Sequence, residues 1–172
     1  MSHEATKPVG RTIVYGMQMS MQPRGLIGYW DHPTNADWAK VLAGFSLFSG
    51  ITRRRLRKLV RRATVAEYGT GDIVIEKGEP GDSLHVILSG SAKARGKSAA
   101  LTLHTGDYFG ELGVLDGVPR SATVVATDEL HVMKLPRQSF LRLAQHNPAI
   151  SLRMLSNVGG HLRRLETQAA RH

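Results

Sequence analysis

The feature that most constrains this chain is a change of hydrophobic period. Between residues 64 and 135 the sequence breaks into short runs rich in β-branched and aliphatic residues: Thr64–Tyr68, Ile73–Glu76, Leu84–Leu88, Ser91–Ala94, Ala99–Leu103, Ala122–Thr127 and His131–Leu135. Glycine-bearing turns separate them, among them Gly69-Thr70-Gly71-Asp72, Gly78-Glu79-Pro80-Gly81-Asp82, Arg95-Gly96-Lys97 and Thr105-Gly106-Asp107. Many short strands at such close spacing predict an antiparallel sandwich or barrel.

On both sides of this stretch the period is helical. In residues 37–63, Trp38, Val41, Leu42 and Phe45 recur at i, i+3, i+4 and i+7, with Asp37 placed to cap the helix. A break at Ser49-Gly50 leads to a second helix, capped by Thr52, whose apolar residues are Leu56, Leu59, Val60 and Ala63. Its other face is Arg53, Arg54, Arg55, Arg57, Lys58, Arg61 and Arg62. Residues 136–172 are helical again. Pro136 suits a first helical position, and Phe140, Leu141, Leu143 and Ala144 are expected inward. After Asn147-Pro148 a longer helix carries Ile150, Leu152, Leu155, Val158, Leu162 and Leu165. Gly159-Gly160 inside it should weaken it by about 1 kcal/mol per glycine relative to alanine. Residues 1–36 show no sustained period, and read as a flexible arm or as a segment that docks on the body or on a partner. The expected class is mainly β with flanking helices: a 64–135 β-roll between a 37–63 helical segment and C-terminal helices.

Composition narrows the function classes. With 172 residues the chain has room for one compact domain with appendages, or for two very small ones. It has no cysteine, which excludes disulfide scaffolds, thiolate metal sites and cysteine nucleophiles. The first ten residues lack the apolar core of a signal peptide, and no apolar run nears the roughly 18 residues of a membrane span, so a cytoplasmic protein is expected. The formal net charge is +9 and is unevenly spread. Residues 38–63 carry eight basic and no acidic residues, residues 136–172 six basic and one acidic, and residues 64–135 six basic and ten acidic. The β segment is thus acidic between two basic blocks, so basicity alone does not assign nucleic-acid binding.

The chemistry concentrates in residues 109–126, which read strand, short helix, loop, strand. Gly110 allows close backbone approach to a ligand. Residues 110–113 then present unpaired amides at a helix start, an arrangement suited to an anion. Arg120, at the end of the loop, is suited to charge-assisted hydrogen bonds to phosphate. Glu111 is acceptor-only when ionised, so beside a phosphate it needs a hydroxyl donor, which an adjacent sugar supplies. Together these residues describe a ribose-phosphate pocket.

At Phe109-Gly110-Glu111-Leu112-Gly113 and Pro119-Arg120-Ser121-Ala122-Thr123 the sequence resembles the cyclic-nucleotide-binding domain shared by catabolite activator protein, protein kinase A regulatory subunits and cyclic-nucleotide-gated channels. Gly78-Glu79-Pro80-Gly81-Asp82-Ser83, Leu88-Ser89-Gly90 and Leu47-Phe48-Ser49-Gly50 extend the likeness over roughly residues 38–168. The resemblance implies a jelly-roll sandwich with a C-terminal helix acting as lid or dimer seam. It implies that Glu111 takes the ribose 2′-hydroxyl and Arg120 the cyclic phosphate. The amides of Gly110, Leu112 and Ala122 would help cradle that phosphate, with Ser121 at a position that meets phosphate or base. The implied ligand is cAMP, or less readily cGMP, with no metal and no catalysis. Leu112, Val114 and Leu115 are expected in the core, and Thr123, Val124 and Val125 in a half-buried strand.

In regulators of this type the long helix leads on to a DNA-reading domain, and no such domain is legible before His172, so a sensor module acting through a protein partner is expected. The rival expectation is an interaction subunit attached through residues 1–36 and the arginine helix. That helix sets Arg53, Arg54 and Arg55 in its first turn, where each exposed cation costs about 0.3–1 kcal/mol at low salt. Its face suits an acidic protein, nucleic-acid phosphate or an anionic membrane. A homodimer through the C-terminal helix, a base cap from within His161–Gln168, and a hinge or close helix crossing at Gly159-Gly160 are further expectations. The eight histidines show no metal spacing, with His85, His104 and His131 read as strand residues.

Overall fold

The computed structural model describes residues 11–13, 34–96 and 100–169. Its strands form two sheets. The first runs, in spatial order, β1 (Arg11–Ile13), β2 (Thr64–Tyr68), β9 (Leu130–Pro136), β4 (Ser83–Ser89) and β7 (Tyr108–Phe109). The second runs β3 (Ile73–Ile75), β8 (Thr123–Ala126), β5 (Ala92–Arg95) and β6 (Ala100–Leu103). Every pairing is antiparallel. The strands follow the runs read from sequence within a residue or two. His104 falls just past β6, exposed, rather than in a strand.

The first sheet is covered on both faces, which is why its runs are almost continuously apolar. Along β4, Leu84, Val86 and Leu88 point into a layer shared with the helices, and Ile87 points toward the second sheet. On β9, Met133 and Leu135 join the helical layer, and Leu130 and Val132 the inter-sheet core. His85 shares the Ile87 face by the same alternation.

β1 arises in a stretch where the sequence shows no strand period. It pairs with β2 through Arg11↔Glu67, Thr12↔Ala66 and Ile13↔Val65. This part of the arm is therefore docked on the body. The rest of residues 1–36, up to Pro33, lies outside the described residues, as does the expected strand's first residue, Ala99.

The helices are α1 (Asn35–Ala43), α2 (Arg53–Val60), α3 (Glu111–Asp116), α4 (Arg137–Gln145) and α5 (Pro148–Ala169). Asp37 does not cap α1. Thr34 does: its Oγ1 accepts from the Asp37 amide at 3.3 Å, and its own amide donates to Asp37 Oδ2 at 2.9 Å. This reciprocal capping box needs its carboxylate three residues into the helix, the place Asp37 holds. Pro136 likewise precedes α4, because its ψ of 137° keeps it extended at the end of β9.

The apolar stripe expected on α5 divides. Ile150 and Met154 are fully buried, whereas Leu152 and Leu155 are 64% and 63% exposed. At about 100° per residue, positions 150 and 154 share a line, and 152 lies on the far side. Leu141 is only half-buried, while Phe140, Leu143 and Ala144 are buried as expected. α5 runs unbroken through Gly159-Gly160, and a Cβ on Gly160 would meet no atom within 4 Å. Among the described residues no close crossing therefore explains that glycine. No helix of the described residues is long and apolar enough to cross a membrane.

Candidate ligand-binding site

β7, α3 and the loop into β8 bring Gly110, Glu111, Leu112, Arg120, Ser121 and Ala122 into one connected segment. Gly110 is the N-cap of α3 with φ 83°, a left-handed conformation. A Cβ there would also strike Arg120 Nη1. The glycine is thus required by the arginine packed on it as well as by its backbone. Glu111 opens α3 and is half-buried; Ser121 is exposed and Ala122 half-buried. Leu112, expected in the core, is 37% exposed, because the short helix turns Gly113 and Val114 inward instead.

Arg120 is the central group. It is 4% exposed. Its Nη1 donates to the Gly110 carbonyl at 3.0 Å, and its Nη2 to the Ser83 carbonyl at 2.7 Å and Ser83 Oγ at 3.3 Å. Asp82 Oδ1 stands 3.7 Å from Nη2, on a side chain 82% exposed. Burial draws the guanidinium below its usual range, and the carboxylates of Asp82, Glu79 and Glu111 oppose that pull. An arginine starts so high that it stays charged.

The Gly78–Ser83 loop is the frame of this arrangement. The Arg120 amide donates to the Glu79 carbonyl at 2.8 Å, and the Gly78 amide to the Arg120 carbonyl at 2.9 Å. Gly81 and Gly113 meet backbone to backbone: a Cβ on Gly113 would stand 2.7 Å from Gly81 Cα. These contacts tie residues some forty positions apart in the chain. Ser83 and the Gly81–Gly113 contact escape a residue-by-residue reading of function, although both lie within motifs legible in the sequence.

His85 also escaped. It is 3% exposed and stacks on Phe109, with ring centroids 5.0 Å apart and planes 16° from parallel. Its Nδ1 has no hydrogen-bond partner. Burial, then the positive charges of Arg120 and Lys134, holds it well below the ordinary histidine range, so the ring is neutral. Next to the cassette formed by residues 109–123, Tyr108 is hydrogen-bonded to Asn157 of α5, and burial raises its phenol. α5 thereby touches the strand that leads into Gly110. Side chains of the expected cap region, His161–Gln168, lie outside the described residues. Among the described residues no cluster of three or more histidine, aspartate or glutamate side chains is arranged to hold a metal ion.

Comparison with known proteins agrees with this fold. Residues 65–147 match the model of the cyclic nucleotide-binding domain. The chain is 35% identical over 98 residues to the cAMP-dependent protein kinase regulatory subunit of Hypocrea atroviridis, covering 56% of this chain and 21% of that one. It is 28% identical over 137 residues to the CRP-like cAMP-activated global transcriptional regulator of Mycobacterium tuberculosis, covering 76% of this chain and 61% of that one. The structure of cAMP-bound PfPKA-R (141-441) superposes with a TM-score of 0.67 at 29% identity, over 77% of this chain and 47% of that one. The chain thus spans about a fifth of the kinase regulatory subunit and under two thirds of the transcriptional regulator. These relatives are regulatory proteins. With two antiparallel sheets, flanking helices and a buried arginine behind a glycine-capped helix, residues 65–147 of the chain are similar to the cyclic nucleotide-binding domain.

Proposed function

We propose that this protein is a non-enzymatic, cytoplasmic receptor for a 3′,5′-cyclic mononucleotide, cAMP in preference to cGMP, that signals through a protein partner. The observation that carries the reading is Arg120: a charged group 4% exposed, held by two main-chain carbonyls, whose nearest carboxylate is itself in solvent. A ligand phosphate supplies the anion such a buried cation calls for. Glu111, at the first position of α3, takes the ribose hydroxyl, and the amides of Gly110, Leu112 and Ala122, with Ser121, line the phosphate. No metal takes part in this reading. The named relatives bind or respond to cAMP, which supports that nucleotide.

Isothermal titration with cAMP and cGMP tests the proposal. Binding of cAMP is expected, and Arg120→Ala should weaken it by about 2–5 kcal/mol, the usual loss when one partner of a buried charged pair is removed. Absence of heat and of thermal shift at millimolar nucleotide, or equal binding by the variant, would overturn it.

The output surface is the exposed face of α2, where no ion pair joins Arg53, Arg54, Arg57, Lys58, Arg61 or Arg62 to a carboxylate among the described residues. An acidic protein partner fits this face. Anionic membrane or nucleic-acid phosphate are the competing ligands, and self-association through α5 would use the exposed Leu152 and Leu155. Capture with and without cAMP separates a sensor from an interaction subunit, the second reading. A partner held equally in both conditions supports the second.

A further inference from the structure

We propose that His85 is a positioning residue of the ligand site: its ring, stacked on Phe109, locks the short β4–β7 pairing that holds the two carbonyls gripping the Arg120 guanidinium. The proposal rests on the reading of this site as a nucleotide pocket.

The geometry leads there step by step. β7 is two residues long and pairs with β4 through two positions, His85↔Phe109 and Val86↔Tyr108. With only two rungs, and the Ile87 amide donating to the Asp107 carbonyl just beyond them, the register rests largely on the buried side chains, because a slip of one residue would turn each of them to the opposite face. Arg120 spans the end of that pair. One of its carbonyl partners belongs to Ser83, two residues before His85 on β4. The other belongs to Gly110, the residue after Phe109 on β7. Any sliding of β7 along β4 would move the two acceptors relative to one another and release one arm of the guanidinium. The His85–Phe109 stack is the side-chain contact across that rung, and it is nearly parallel and fully buried.

The orphaned Nδ1 points the same way. A buried nitrogen without a partner costs stability that a leucine filling the same volume would not. Aliphatic filling alone therefore does not account for this residue, whereas a flat ring that stacks on Phe109 does. Val86 and Tyr108 on the second rung face the helical layer instead, and do not contact the arginine's side of the sheet.

Two apolar variants separate stacking from filling. His85→Leu keeps the burial and removes the ring, and His85→Phe keeps the ring. Titration with cAMP should show His85→Leu weakened about five- to tenfold, in line with the loss of an aromatic pair, and His85→Phe within about twofold of the unmodified protein. In an Arg120→Ala background His85→Leu should have no further effect, because it acts through the arginine. Amide hydrogen exchange read on the nucleotide-free protein gives a measure independent of ligand. Exchange across residues 107–122 should quicken in His85→Leu and not in His85→Phe. If the unmodified protein binds neither cAMP nor cGMP while exchange behaves this way, the nucleotide reading fails and the positioning role stands. If both variants bind and exchange as the unmodified protein does, or both lose binding alike, the positioning role is overturned.

Discussion

Arg120 and Gly110 are one unit at the scale of single residues. The glycine's positive φ is unfavourable for any residue with a Cβ, and the space a Cβ would need is filled by the guanidinium. Gly110→Ala should therefore lower stability by at least about 1–2 kcal/mol from the backbone alone. It should also weaken cAMP binding by displacing Arg120, and chemical denaturation with titration on the same sample reads both. His85 sets a pH dependence. Its folded value lies well below the ordinary 6.5, with Arg120 and Lys134 the charges that face it. Below 6.5 the unfolded chain takes up a proton that the folded chain refuses, so the unfolded state binds more protons and stability falls as pH falls. The melting temperature should hold steady above that value and decline beneath it, and His85→Phe should flatten the decline. An equal slope in the variant would assign the effect to other groups.

At the scale of elements, much of the architecture was legible in the sequence. The seven short runs became strands because their β-branched and aliphatic content and the glycine turns between them are local properties, and residues 109–123 gave the short helix and returning arginine as read. Other expectations met facts that are not local. Leu112, expected in the core, lies exposed, since a six-residue helix cannot bury both Val114 and its opposite side. Met154, not Leu152 or Leu155, accompanies Ile150 inward, because the helix face is chosen by the groove it meets beside α4 and the Ser46–Phe48 turn. Arg153, which donates to the Leu47 carbonyl at 3.2 Å, helps choose that face. Gly160 has open space around it. Gly160→Ala should stabilise α5 by about 1 kcal/mol without a clash, raising the melting temperature by a few degrees. If Gly159-Gly160 acts as a hinge, the same change should also alter cAMP affinity; unchanged affinity would leave it a plain helical glycine.

For the whole molecule, the charge arithmetic resolves into places. Apart from Lys40 of α1, the basic residues of 38–63 lie on α2 or just past its end, and the apolar face of α2 is sealed into the core by Leu56, Leu59 and Val60. With that face occupied, α2 has no apolar side chains to insert into a bilayer, and its contacts with any partner are electrostatic. Reversing Arg54, Lys58 and Arg62 to glutamate should abolish partner capture and leave cAMP affinity unchanged, since none of the three touches the cassette. Loss of nucleotide affinity in that variant would show that α2 and the pocket are coupled. The arginine triplet at the start of α2 also opposes the helix dipole, so added salt should stabilise the free protein modestly.

The sequence by itself determined the periods, and hence a β-roll between helical blocks, together with the residue types of the cassette. Both are carried by neighbours within a few positions along the chain. Only the tertiary structure decided what holds the arginine. Ser83 lies 37 residues from Arg120, and no spacing rule joins them. Strand pairing places β4 beside β7, and only then do the Ser83 and Gly110 carbonyls converge on one guanidinium, with His85 and Phe109 stacked across the same strand pair.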